Sequence, residues 1–256
     1  MKRFENKVAI VTGGGEGIGA GACLRLAEEG ATIVIAEVNP ETGRTTADRI
    51  NSAGLRAAFI QTDVTNEDDI RRVVAETAQR FGRIDVLVNN AAVFVLRGIE
   101  ATVEEWHEIL DVNVIGPSLM AKHVVPEMRK VGGGAIVNLG SISSFIAQPE
   151  FITYNGTKGA IVQMTRCMAL DLADDNIRVN AVCPGTVWTQ IVERLTKEEG
   201  LDRQAAEVHP DWGGSHMIKR IAEPREIAAA IAFLASDDAS FITAECLMVD
   251  GGYVAK

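Results

Sequence analysis

Tyr154 and Lys158 stand four residues apart at the end of the stretch Asn138–Lys158, and Ser141 lies near its start. On a helix beginning near Thr153 that spacing sets the phenol and the ammonium side by side on one face. A free phenol titrates near pH ~10 and a neighbouring cation favours the phenolate, so the pair suits general-base work, with the Ser141 hydroxyl as a third polar group. A Tyr-x-x-x-Lys pair is equally at home on an exposed helix face. Proton transfer becomes the stronger reading only if the chain also holds a cofactor site.

The elements that must position these groups read as alternating short apolar strands and amphipathic helices. Ala135–Leu139 is a buried strand that would leave Ser141 at its carboxyl end, where ligands of open α/β sheets bind. Lys7–Thr12 is a β-branched strand followed by Gly13-Gly14-Gly15-Glu16-Gly17-Ile18-Gly19 and a helical pattern that stops at Gly30. Glycines let backbone approach a pyrophosphate closely, and a helix N-terminus offers free N–H donors to it; a glycine-rich turn without ligand fits the same letters. A second strand, Ala31–Ala36, runs into Glu37, about 20 residues past the glycines, where an acid accepts hydrogen bonds from an adenosine ribose and repels a 2′-phosphate. Val38, Asn39 and Pro40 offer no cation, and Glu16 is acidic as well, so NAD is expected over NADP.

Asp63-Val64 ends a third strand, placed for an adenine amino group or for capping the helix that starts near Asn66. Helix Glu67–Phe81 and strand Ile84–Val88 lead to Asn89-Asn90-Ala91-Ala92, where backbone must pass close to a ligand or a neighbouring strand. Glu104–Lys130 is a long helical region carrying Asn113 in an apolar stretch, with breaks or kinks expected at Gly116-Pro117 and Pro126. Further on come helix Asn155–Leu172, strand Ile177–Cys183, a turn from Pro184 to Thr189, helix Pro224–Ala235 and strand Cys246–Val249. The alternation predicts right-handed βαβ units around a parallel sheet. Residues 188–220, with Trp188, His209, Trp212 and His216, break the rhythm and read as a mobile lid whose histidines are solvated.

With 256 residues and no break in composition, the chain is expected to form one domain, 1–256. A net charge of −10, from 35 acids against 25 basic residues, leaves no basic stripe for nucleic acid. No apolar run reaches the ~18 residues of a membrane span, and the N-terminus has no apolar signal core, so a cytoplasmic protein is expected. Four cysteines lie far apart with no C-x-x-C, which indicates neither a metal site nor a redox pair.

In order and approximate spacing, Thr12-Gly13-x-x-x-Gly17-Ile18-Gly19, Asn89-Asn90-Ala91, Asn113, Ser141, Tyr154-x-x-x-Lys158 and Pro184-Gly185-x-x-x-Thr189 resemble the short-chain dehydrogenases/reductases over almost the whole chain. The resemblance implies a single doubly wound Rossmann-type α/β domain, with a parallel seven-stranded sheet in the order 3-2-1-4-5-6-7 flanked by helices. It implies a catalytic tetrad of Asn113, Ser141, Tyr154 and Lys158. Tyr154 is then the acid/base, Ser141 holds the substrate oxygen, Lys158 lowers the phenol pKa and binds the nicotinamide ribose, and Asn113 fixes a water in a proton relay. By the same analogy Gly13, Glu16, Gly17, Ile18, Gly19, Glu37, Asp63, Val64, Asn90, Ala91, Pro184 and Gly185 border NAD, with the Val187 backbone and the Thr189 hydroxyl on its carboxamide. Family members are commonly homotetramers, or homodimers, joined through the helices around 104–130 and 154–172 and through the last strand. Two departures stand out: Ala92 replaces a usual glycine, and Gly140 a frequent serine.

The pocket contributors Val93, Phe94, Ser143, Gln148, Glu150 and Trp188 mix apolar and polar groups. Gln148 and Glu150 suit a hydroxyl-rich ligand, so the expected small-molecule substrate is a sugar, polyol or related secondary alcohol, with a cyclic or steroid-like alcohol as the alternative. An NADPH-dependent ketone or acyl-carrier reductase is a second enzyme reading, against which Glu37 counts. A nucleotide-sensing protein that kept the fold is the non-enzyme reading, against which Ser141, Tyr154 and Lys158 count.

Overall fold

The computed structural model describes residues 2–256. Seven parallel strands form one sheet in the order β3-β2-β1-β4-β5-β6-β7. In chain order the elements are β1 (Val8–Thr12), α1 (Gly17–Glu28), β2 (Thr32–Glu37), α2 (Pro40–Ser52), β3 (Arg56–Gln61), α3 (Glu67–Phe81) and β4 (Val86–Asn89). They continue with α4 (Val103–Leu110), α5 (Gly116–Lys130), β5 (Gly134–Leu139), α6 (Ile152–Asp171), β6 (Ile177–Pro184), α7 (Gln190–Glu198), α8 (Arg203–Val208), α9 (Pro224–Ala235) and β7 (Cys246–Val249).

The two-residue period of the strands divides the core. Ala9 and Val11 of β1, with Ile33 and Ile35 of β2, pack beneath α1 and α9, whereas Val8, Ile10, Val34 and Ala36 face α3 and α5 on the other side. Ile10, Ile33, Ile35 and Leu87 are fully buried, a burial worth about 1.5–3 kcal/mol for each side chain. Local chemistry sets several boundaries. Asn66 accepts the Asp68 and Asp69 N–H groups and caps α3, and Gly82 ends that helix with φ at 76°. Thr102 and Glu105 close a capping box on α4.

Strand order reverses between β1 and β4, which pair side by side as Ala9↔Val86 and Val11↔Val88. This switch point opens a crevice at the carboxyl ends of both strands. The long helical region departs from expectation. Its irregularity is a π turn at Asp111–Ile115, and α5 runs unbroken through Pro126. Pro117 has no N–H, so the Asn113 carbonyl four residues earlier lacks an α-helical donor.

The segment 188–220 also differs from a solvated lid, since it folds into α7, α8 and a 3₁₀ turn at Gly213–Ser215. His209 is partly exposed, but His216 is 2% exposed, with Nδ1 at 2.6 Å from the Asp250 carbonyl oxygen. Gly185 makes that burial possible, because a Cβ there would lie 2.6 Å from His216 Cε1.

Candidate active site

The glycine run turns between β1 and α1 at the switch point. Gly13 has φ at +61°, and a Cβ on it would stand 2.9 Å from the Ala91 Cα; one on Gly19 would stand 2.0 Å from the Gly13 carbonyl oxygen. Only glycine permits this approach of backbone to backbone. Asn90 locks it: Nδ2 donates to the carbonyls of Thr12 at 3.0 Å and Gly13 at 2.9 Å, while Thr12 Oγ1 accepts the N–H groups of Asn90 and Ala91. Asn90 and Ala91 therefore shape the cradle by tying β4 to the glycine loop. Glu16 gives no side-chain cap to α1, so no side chain competes for the first-turn N–H groups of Gly17 and Ile18.

At the end of β2, the Glu37 carboxylate accepts the Gly15 N–H at 3.2 Å and the Asn39 N–H at 3.0 Å. It is held against the glycine loop, at the place a ribose would need an acceptor. Asp63 engages Thr65, accepting its N–H and its hydroxyl, beside the buried Val64. The helix-capping role falls to Asn66 instead. Beyond β6, the Gly185 N–H donates to Val249, buried Val187 bridges to Ala222, and Thr189 caps α7 with its methyl against Gly17. An uncapped helix start, a cradle that admits no Cβ and a fixed acceptor carboxylate together fit a nicotinamide dinucleotide.

Across the same crevice, α6 carries Tyr154 and Lys158, both buried. Burial raises the phenol well above its ordinary value, and a hydrogen bond from the Ser141 side chain acts in the opposite direction. Burial lowers Lys158 to about 8. Its Nζ donates to the Leu139 carbonyl at 2.8 Å and stands 5.6 Å from the centre of the Tyr154 ring. Ser141 also accepts the Ser143 N–H at 3.1 Å, opening a short 3₁₀ turn that Ser144 ties to the Lys158 carbonyl.

Asn113 lies 2% exposed in the π turn. Its Oδ1 accepts the Val93 N–H at 2.8 Å, and its Nδ2 donates to the Val93 carbonyl at 3.0 Å and to Thr157 Oγ1 at 3.3 Å. The amide thus clamps one peptide of the loop after β4.

The expected substrate residues separate. Ser143 donates to Gln148 Oε1 at 2.7 Å within one loop, and exposed Glu150 accepts the Gly98 N–H of the loop after β4 at 3.0 Å, so both polar side chains are engaged by the protein itself. Trp188 lies under the Arg203 guanidinium, 5.1 Å from its centre. Thr153 escaped sequence reasoning. Its hydroxyl donates to the Val95 carbonyl and accepts the Arg97 N–H at 3.2 Å, an arrangement that a lone threonine beside Tyr154 does not announce.

Fold and site together define an α/β oxidoreductase. Residues 13–254 match the family described as Enoyl-(Acyl carrier protein) reductase. A cyclopentanol dehydrogenase of Comamonas sp. is 38% identical across 100% of both chains. A cis-4-hydroxycyclohexanecarboxylate dehydrogenase of Sinomonas cyclohexanicum is 39% identical across 98% of both. The ligand-free structure of an aldohexose dehydrogenase from Thermoplasma acidophilum superposes with a TM-score of 0.89 at 34% identity, covering 100% of this chain and 96% of that one. The chain belongs to the short-chain dehydrogenases/reductases.

Proposed function

We propose that the protein is an NAD-dependent dehydrogenase of alicyclic secondary alcohols. The observation that carries the reaction class is the convergence of Ser141, Tyr154 and Lys158 across the crevice from the glycine cradle. When bound, the nicotinamide supplies the acceptor for the hydride that leaves the carbinol carbon. In its phenolate form Tyr154 takes the hydroxyl proton and becomes the phenol, and Ser141 hydrogen-bonds the oxygen as it becomes a carbonyl. A positioned general base of this kind is worth roughly 10² to 10⁴ in rate. Lys158, with its pKa near 8, holds a loosely bound proton beside the phenol, and it would meet the nicotinamide ribose. Gly13 to Gly19 and the start of α1 would hold the pyrophosphate, and Glu37 the adenosine ribose.

Glu37 supports NAD over NADP, because a carboxylate fixed by two backbone N–H groups would face a 2′-phosphate without a counter-charge of its own. Two things favour an alicyclic alcohol over a sugar. Gln148 and Glu150 are engaged in internal hydrogen bonds, and the two enzymes named above act, by their names, on hydroxylated five- and six-membered carbocycles. The likeness to an aldohexose dehydrogenase keeps a sugar as the second reading.

The deciding experiment follows reduced-nicotinamide absorbance with NAD or NADP, across cyclopentanol, cyclohexanol, hydroxysteroids, polyols and hexoses, with Tyr154→Phe in parallel. Tyr154-dependent reduction of NAD by a carbocyclic alcohol is the expected result. Silence with every alcohol despite NAD binding would favour a nucleotide-sensing protein. For the assembly we propose a homotetramer: Ile99, Val103, Ile115, Ile152 and Leu170 are exposed on or beside α4 to α6, and Phe241 is fully exposed just before β7. Particles of only 27.5 kDa in solution would exclude it.

A further inference from the structure

The Phe94 ring lies nearly parallel to that of Tyr154, 4.7 Å between centres with an interplanar angle of 19°. Phe151 meets the same phenol edge-on at 6.3 Å. Tyr154 is 7% exposed, but Phe94 keeps 40% of its surface open, so one face of the stack is sealed and the other looks outward. The loop that carries Phe94 is pinned on both sides of it. Asn113 clamps the Val93 N–H and carbonyl, and Thr153, directly before Tyr154, holds the Val95 carbonyl and the Arg97 N–H. Glu150 fixes the next turn through the Gly98 N–H. Three side chains thus spend hydrogen bonds on presenting one aromatic ring beside the reacting phenol.

We infer that Phe94 is a specificity-determining residue. It forms an apolar wall beside the Tyr154 hydroxyl that receives the carbocycle of the substrate and turns away rings bearing further hydroxyls. The physics is one-sided. A ring CH₂ edge against the phenyl face loses water at no cost, whereas a second hydroxyl pressed there would be buried without a partner. This inference rests on the proposed alicyclic dehydrogenase activity.

The test compares wild type, Phe94→Leu and Phe94→Asn with NAD, using cyclopentanol and cyclohexanol against a hexose and a polyol. NAD affinity is measured separately by quenching of tryptophan fluorescence. Phe94→Asn should lower kcat/KM for the carbocyclic alcohols about tenfold or more, as expected for a lost apolar contact in a specificity pocket. The ratio of carbocycle to polyol turnover should fall with it, and NAD affinity should hold within about twofold. Phe94→Leu, which keeps an apolar wall, should retain most of the carbocycle activity and controls for folding of the loop. If wild type oxidises carbocycles and Phe94→Asn leaves the carbocycle-to-polyol ratio unchanged, the specificity role is wrong while the activity stands. If wild type oxidises no alcohol, the activity falls and the role of Phe94 with it.

Discussion

Lys158 Nζ stands 5.6 Å from the centre of the Tyr154 ring and donates instead to the Leu139 carbonyl, at 2.8 Å. The last carbonyl of β5 therefore sets the ammonium's position, and burial loosens its proton while it tightens the phenol's. A buried amine with its pKa near 8, below the 10.5 of the free group, is a destabilising element. Between those values the unfolded chain binds more protons than the folded one, so stability rises as pH climbs from about 8 towards 10. Lys158→Met should lower turnover by about 10² or more, leave Tm at neutral pH no lower, and abolish this rise. Thermal melts of both proteins across that range decide it, and an identical rise in the variant would mean that Lys158 is not its source.

Glu37 should control the choice of cofactor. Glu37→Ala removes the fixed carboxylate, so the preference for NAD over NADP, measured as the ratio of kcat/KM, should shrink by about tenfold or more. The Gly15 N–H also loses its acceptor, so NAD affinity should weaken. An unchanged ratio would place the discrimination elsewhere.

Gly140 and Cys183 share one small volume, because a Cβ on Gly140 would lie 2.7 Å from Cys183 Sγ. The absence of serine at this position is thus matched to a thiol beneath the loop that carries Ser141. Gly140→Ala should cost about 1–3 kcal/mol of stability and lower kcat with it. Adding Cys183→Ala should restore most of both. Additive losses in the double variant, read by urea denaturation, would exclude the clash.

The Asn113 amide should behave as a clamp that needs both its ends. Asn113→Asp keeps an acceptor for the Val93 N–H but has no donor for the Val93 carbonyl or Thr157, so stability should fall by about 1–3 kcal/mol, and kcat with it. Equal stability of the two proteins in urea would show that the clamp carries no energy.

The acid limb of stability should depend on Glu226. Its bidentate pair with Arg220, at 2.7 Å for both contacts, is the largest cause of a carboxyl pKa lowered from 4.5 to about 2. A depressed carboxyl contributes stability that is present above the unfolded value and is lost as pH falls from about 5 to about 2. The pair is largely exposed, so the contribution is below about 1 kcal/mol. Tm of wild type should exceed that of Glu226→Gln at pH 6, and the gap should close by about pH 2; a gap independent of pH would assign the difference to another cause.

Much of this was legible in the residues alone, and for a local reason. Helix and strand periods, the Asn66 cap and the Gly82 stop act over a few residues, which is why α3 and α9 fall where the pattern puts them, at Glu67–Phe81 and Pro224–Ala235. The pairing of Tyr154 with Lys158 is likewise a matter of helical spacing, and the glycine run announces a backbone that must turn under something close. The amino-acid order therefore determined the doubly wound α/β plan, the cradle and the reacting pair. Tertiary structure decided what depends on how distant segments meet. It buried His216 against Gly185, engaged Gln148 with Ser143 and Glu150 with the Gly98 N–H of the loop after β4, and brought Cys183 and Cys246 into one apolar cluster across β6 and β7. It also stacked Phe94 on Tyr154 and set Asn113 on Val93. Most of these contacts join segments far apart in the chain, and their formation is fixed by loop paths and close packing, which no local period encodes.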